Sequence, residues 1–230
     1  AQTAGSTLTA QQPDNNVARV AIQALAAVLG GTQSLHCNGR DEALGLPTQE
    51  SATIALRTQQ ILLHESGVAS TVDPLGGAYA IEEATTRIEK EAVQIIERID
   101  SAGGTLSAIE SGLIQRDIQD SAYRAQQALE HGNDVVVGVN RYNESSGHML
   151  GVFSLDASVE GDQVERVRVL RASRSGSECQ AALEAVVQTA RGSDNLVPVV
   201  IHAVEQRATL GEVSDALRNV FGEYQDVSGT

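Results

Sequence analysis

At 230 residues, 41% of them hydrophobic, the chain has material for one large domain or two small ones, and it is too apolar to be an unstructured tail. A formal charge of −14 and a pI near 4.7 set it against phosphate backbones and anionic bilayers, so neither nucleic acid nor a membrane surface is an expected partner. There is no apolar run of about 18 residues, the length a membrane helix needs, and the two cysteines, Cys37 and Cys179, are too few and too far apart for a disulfide framework.

Residues 1–12 are small and polar and end at Pro13. Asp14, Asn15 and Asn16 are N-cap candidates for a helix over 17–29, whose apolar residues Val17, Val20, Ile22, Leu25 and Leu29 keep helical spacing. Gly30 and Gly31 stop it, and an extended run over 31–37 follows. A strand between two helices is normally buried on both faces and reads as a branched apolar run. This one carries Thr32, Gln33, Ser34 and His36, so a polar guest is expected against it. Thr48 caps a helix to about His64, with Ile54, Leu56, Ile61, Leu62 and Leu63 on its buried side. Helix, strand, helix is the rhythm of a β/α repeat, and one repeat cannot close a barrel alone.

Asp73-Pro74 and Gly76-Gly77 make residues 66–79 a turn-rich connector. Helices are expected at 81–101, 105–111 and 115–131, then a short apolar strand at Val135–Val139 and an irregular stretch over 143–162. Four more helices follow, at 163–173, 177–191, 195–207 and 210–221. Ser177–Gln180 and Thr209–Glu212 have the spacing of capping boxes.

Several strings, in order, resemble the family of adenosylcobalamin-dependent acyl-CoA mutases, the methylmalonyl-CoA mutase family, and in particular its large subunits. They are Gln2-Thr3-Ala4-Gly5, Asn15-Asn16-Val17, Gly31-Thr32-Gln33-Ser34-Leu35-His36, Asp41-Glu42-Ala43-Leu44, Leu46-Pro47-Thr48 and Asp73-Pro74-Leu75-Gly76-Gly77. Val137-Gly138-Val139-Asn140-Arg141-Tyr142, Asn195-Leu196 with Pro198, and Thr209-Leu210-Gly211-Glu212 with Phe221-Gly222 continue the likeness. The resemblance implies an α/β fold: residues 1–72 as the carboxy-terminal part of a (β/α)8 TIM barrel, and 73–230 as a mostly helical extension. Residues 1–6 would end the seventh strand and 31–37 form the eighth. Branched side chains fill most such barrels in layers, whereas this family's barrel admits acyl-CoA along its axis, which fits the polar run.

The implied activity is radical carbon-skeleton rearrangement of an acyl-CoA, most readily (R)-methylmalonyl-CoA to and from succinyl-CoA. Isobutyryl-, ethylmalonyl- and 2-hydroxyisobutyryl-CoA stay open, since the discriminating residues lie on earlier strands. The cofactor carries the difficult step, so no catalytic acid, base or metal ligand is expected in this chain. Carried over by position, Gly5, Glu42, Ala43 and Gly45 would bind adenosylcobalamin, and Gln2 and Gln33 the substrate. Ser6 departs from relatives with an aromatic there, and Gly45 from relatives with alanine. His-x-x-Gly at His148 lacks the preceding Asp of a cobalamin-binding domain, so that domain is expected on a separate small subunit, the main partner in a cytoplasmic oligomer. The chain is expected to be a piece of a longer one, with a histidine directly upstream, and inactive alone. A rival reading makes it a non-catalytic helical module for subunit assembly.

Overall fold

The first helix, α1 (Asn15–Leu29), buries Asn16, Val20 and Ala24 along one face at intervals of four. Gly31, at φ +76°, makes the left-handed turn that ends it. In this computed structural model, which describes residues 1–144 and 151–225, α2 (Gln49–His64) begins at Thr48, whose hydroxyl accepts the Ser51 N–H. Its buried face is Ser51, Ala55 and Thr58, not the branched residues. Leu56, Ile61 and Leu63 are 50–59% exposed. Small residues let α1 and α2 approach closely over a cluster of Leu8, Val20, Ala24, Cys37 and Ala55, to which Leu35 and Leu62 add.

The extended run between these helices is less than a strand. Gln33 and Ser34 form a bend, and only Gln2 and His36 pair, as one isolated parallel bridge. The Thr3 N–H donates to the His36 carbonyl and the His36 N–H to the Ala1 carbonyl, each at 3.0 Å. A strand needs partners along its edges, and here only residues 1–3 run beside it. The α/β character expected from the sequence is reduced to two isolated bridges, this one and Val137 with Arg141, and the described residues are otherwise largely helical.

The apolar stretch Val135–Val139 is also no strand. Asn140 takes over its backbone groups: its Oδ1 accepts the Val136 N–H at 2.8 Å, while its Nδ2 donates to the Leu129 and Asp134 carbonyls at 3.0 and 2.7 Å. An asparagine that satisfies main chain locally competes with ladder formation. Gly138, at φ +80°, completes a tight loop whose N–H meets the Arg141 carbonyl at 2.7 Å.

Between these segments lie α3 (Tyr79–Ser101), α4 (Thr105–Glu110) and α5 (Leu113–Glu130), within two residues of expectation. No residue of α3 is buried, and Ile88, Ile95 and Ile96 stand more than half exposed. An ion pair of Arg98 with Asp117 joins it to α5.

A second compact unit begins at Ser154. Helix α6 (Ala157–Ser173) starts six residues before the expected point, because the Asp156 carboxylate caps it through the Ser158 N–H. Ser175, not Ser177, caps α7 (Gly176–Ala190). Helices α8 (Leu196–Glu205) and α9 (Leu210–Phe221) pack on α7 around Cys179, Ala182, Val186, Ala203, Ala208, Val213 and Ala216. Thr209 and Glu212 form the expected capping box. Among the described residues no helix is long and apolar enough to cross a membrane.

Candidate functional site

The Gln2–His36 bridge sets two polar segments side by side, residues 2–9 and 37–48. Thr3 and Asn38 lock them together. The Thr3 hydroxyl donates to Asn38 Oδ1 at 3.1 Å and accepts the Asn38 N–H at 3.0 Å. Gln2 Nε2 donates to the same Oδ1 at 3.3 Å. Both Thr3 and Asn38 are buried.

This clasp brings Gly5 under Asn38 and Glu42. A Cβ on Gly5 would lie 3.0 Å from Asn38 Nδ2 and 3.3 Å from Glu42 Oε1, so the close approach depends on glycine. Asn38 Nδ2 is itself buried and lacks a hydrogen-bond partner. A buried donor left unpaired costs free energy until an acceptor meets it.

The turn from Asp41 to Gly45 carries the other expected contacts. The Leu44 and Gly45 N–H groups both donate to the Asp41 carbonyl, at 2.8 and 3.2 Å, leaving Glu42 and Ala43 exposed. A Cβ on Gly45 would meet Val152 Cγ1 at 3.4 Å, ordinary contact, so alanine would fit here. The structure thus brings Gly5, Glu42, Ala43 and Gly45 to one rim, with Gln2 tied to it through Asn38. Gln33 is not joined to them; it lies exposed on the bend after Thr32.

Beneath the turn, Asp41 Oδ2 accepts the Thr48 N–H at 2.8 Å and its hydroxyl at 3.1 Å. Burial pushes the Asp41 carboxyl up, but hydrogen bonds from the Thr48 backbone, the Ser51 side chain and the Thr48 hydroxyl outweigh it and hold the carboxyl below its ordinary value. Gly39 leaves space for this side chain, since a Cβ there would come within 2.7 Å of Asp41 Oδ1 and 3.3 Å of Pro47 Cβ. Gly39→Ala is therefore expected to cost about 1–2 kcal/mol in denaturant unfolding, an overpacking effect; a neutral result would show that the turn yields.

Asn16 joins α1 to both segments. Fully buried, it accepts the Thr9 N–H at 3.2 Å and donates to the Thr9 and Arg40 carbonyls at 2.9 and 2.8 Å. Arg19 Nη1 donates to Asn16 Oδ1 at 2.7 Å. Arg40 clamps the second segment from outside, to Asp14 at 2.6 Å and Glu50 at 2.8 Å.

The sequence reading missed Asn16, Asn38 and Asp41 as site builders. By sequence Asn16 stands among the N-cap candidates, whereas the helix begins a residue before it; the usable signal is a second asparagine where one cap suffices. His36 contributes backbone to the bridge. Cys37 is buried, which raises its thiol pKa and argues against a nucleophile. His148 lies outside the described residues.

The unpaired buried donor Asn38 Nδ2, beside the exposed Glu42 carboxylate, fits a group that brings hydrogen-bond acceptors and hydroxyls. The residues present therefore fit a cofactor of the kind the resemblance implies. The family model described as methylmalonyl-CoA mutase matches residues 1–223. The chain belongs to the methylmalonyl-CoA mutase family. It is 47% identical to methylmalonyl-CoA mutase of Escherichia coli over 97% of this chain and 31% of that protein. It is 42% identical to the probable mitochondrial methylmalonyl-CoA mutase of Caenorhabditis elegans, over 99% of this chain and 31% of that one. The 2-hydroxyisobutanoyl-CoA mutase large subunit of Aquincola tertiaricarbonis is 42% identical over 98% of this chain and 40% of its own length. The chain thus spans about a third of the length of the mutases it matches first.

Proposed function

We propose that this chain is the carboxy-terminal part of the large subunit of an adenosylcobalamin-dependent mutase that interconverts (R)-methylmalonyl-CoA and succinyl-CoA. The observation that carries the reading is the rim where Gly5 lies under Asn38 and Glu42, two buried-to-exposed polar groups gathered over bare backbone. Residues 1–72 would complete a TIM barrel, the pairing of Gln2 with His36 joining its last two strands, and 73–230 would be the helical extension. A separate small subunit would carry the cobalamin-binding domain; the name of the Aquincola relative, a large subunit, supports that arrangement.

When bound, adenosylcobalamin supplies the radical chemistry of the rearrangement. The chain's own residues hold and orient. Gly5 lets Asn38 and Glu42 close over the backbone and so sets their positions, Glu42 offers a carboxylate to hydroxyl groups, Ala43 and Gly45 present a small-residue surface, and Asn38 Nδ2 provides a donor. Gln2, held by Asn38, and Gln33 would face the acyl-CoA with neutral amides that neither donate nor remove a charge-carrying proton. The 230 residues alone would not turn over.

The test uses the full-length protein with its small subunit. Glu42→Ala and Gly5→Ala are each expected to weaken adenosylcobalamin binding by about tenfold or more in an absorbance titration; Glu42→Ala should leave the melting temperature of the cofactor-free protein little changed, whereas Gly5→Ala should lower it, because the added Cβ would press on buried Asn38 Nδ2 at 3.0 Å. Unaltered affinity in both would overturn the rim as the cofactor site. The match to the 2-hydroxyisobutanoyl-CoA enzyme supports a second substrate reading, which assay with both acyl-CoA pairs would separate.

A further inference from the structure

The string Val137-Gly138-Val139-Asn140-Arg141-Tyr142 has no part in the rim, yet it reaches back across more than a hundred residues to α1. Arg19 Nη2 donates to the Val137 carbonyl at 2.7 Å, and Gln12 Nε2 to the Tyr142 carbonyl at 2.9 Å. Gly138 sits directly on Gln12: a Cβ there would come within 2.9 Å of Gln12 Cδ and Oε1. That amide cannot simply swing aside, because Oε1 also accepts from Asn15 Nδ2 at 2.8 Å. The loop itself is set by Asn140, which holds Val136, Leu129 and Asp134.

The other fork of the Arg19 guanidinium points the opposite way. Nη1 donates to Asn16 Oδ1 at 2.7 Å and to the Thr9 hydroxyl at 3.1 Å. Asn16 in turn holds Thr9, four residues past Gly5, and Arg40, two residues before Glu42. A planar fork with fixed donor directions can hold an amide in one pose, which a single ammonium cannot do. One guanidinium thus joins the 137–142 loop to the amide that fixes both rim segments.

We infer that Arg19 is a positioning residue: anchored on the Val137 carbonyl, it holds Asn16 in the pose that fixes the Gly5 and Glu42 segments against each other. This rests on the proposed reading of the rim as the cofactor site. It also gives the 137–142 string a role, as the far anchor of that site. Arg19 acts only through Asn16 and Thr9.

The experiment uses the full-length protein carrying Arg19→Ala, Gly138→Ala or both. Gly138→Ala touches nothing at the rim; its Cβ would push the loop off Gln12 and so withdraw the Val137 carbonyl from Arg19. Each single variant is expected to speed amide hydrogen exchange by at least tenfold over residues 5–9 and 38–45 in the cofactor-free protein. Each is also expected to weaken cobalamin binding by about tenfold in the absorbance titration. The double variant should be no worse than the worse single, because both cut one connection. Additive losses, or exchange unchanged in the two segments while melting falls, would overturn the inference and leave Arg19 a packing residue. If Arg19→Ala fails to fold, Gly138→Ala alone carries the exchange measurement. Exchange is read without cofactor, so it judges Arg19 even if Glu42→Ala keeps full affinity and the rim reading fails.

Discussion

Asn16→Ala is expected to destabilise the unit of residues 1–153 by about 3–4 kcal/mol, the larger side of what one substitution does. Its side chain is fully buried and all four of its hydrogen-bonding positions are used, three on main-chain groups and one on Arg19. Truncation leaves the Thr9 N–H and the Thr9 and Arg40 carbonyls without partners, at about 1–3 kcal/mol for each group that stays dry. Water entering the vacated space recovers part of that, hence the lower total. Asn16→Asp sharpens the test. It keeps the size and can still accept from Thr9 and Arg19, yet it sets a carboxylate oxygen against the two carbonyls at under 3 Å. We expect it to be no better than alanine. A loss below 1 kcal/mol for either variant, read by denaturant unfolding, would mean that Asn16 does not join the segments.

The second large effect concerns Glu212 and carries a pH signature. Its carboxylate takes both forks of Arg174 at 2.6 Å, the Arg171 Nε at 3.3 Å, and the Thr209 N–H and hydroxyl at 2.8 and 2.9 Å. Chiefly through the Arg174 hydrogen bonds, its pKa falls from an ordinary 4.5 to about 2. A carboxyl depressed on folding contributes stability that is complete above its unfolded pKa and fades as pH falls toward the folded one. Glu212→Gln should therefore lower the melting temperature of the 154–225 unit at pH 7, with the gap to the parent narrowing between pH 4.5 and 2. At neutral pH the cost should be about 2–3 kcal/mol, since a charge-assisted pair and a helix cap are weakened together and the side chain is only 20% exposed. A gap that stays constant down to pH 2 would show that the charge contributes nothing.

Helices were legible in the sequence wherever periodicity and caps agreed. Thr48 before α2 and the Thr209–Glu212 box before α9 are local signals, and both formed. At α6 the periodicity is weak, and the Asp156 cap, six residues earlier than the apolar pattern pointed, set the start. The two expected strands failed for different reasons. Residues 31–37 depend on neighbours beyond the reach of local pattern, and Val135–Val139 is overruled by one asparagine four residues on from Val136. Branched apolar residues read equally as strand or tight loop when a side chain nearby can take their amides.

Of the site, the half-buried Gly5 and the exposed Glu42, Ala43 and Gly45 were reached through family strings, and the structure sets them along two neighbouring segments. What lies beneath was not readable. Asn16, Asn38 and Asp41 act by accepting and donating across 7 to 36 residues. A polar residue's sequence neighbours do not reveal whether it is solvated or buried and fully engaged. The same blindness hid Arg19, which looks like any surface arginine on the polar side of a helix.

The second unit's interior has a consequence for how its sequence can drift. Four of the seven side chains at its centre are alanine, with only two valines and a cysteine for bulk. Cutting such side chains back removes little, because there is little to remove. Enlarging them drives helices apart that meet only because their facing surfaces are small. The usual asymmetry of hydrophobic interiors is reversed here. Growth, not loss, is the dangerous direction, and the positions that look most interchangeable on a hydrophobicity scale are the ones with the least freedom to change.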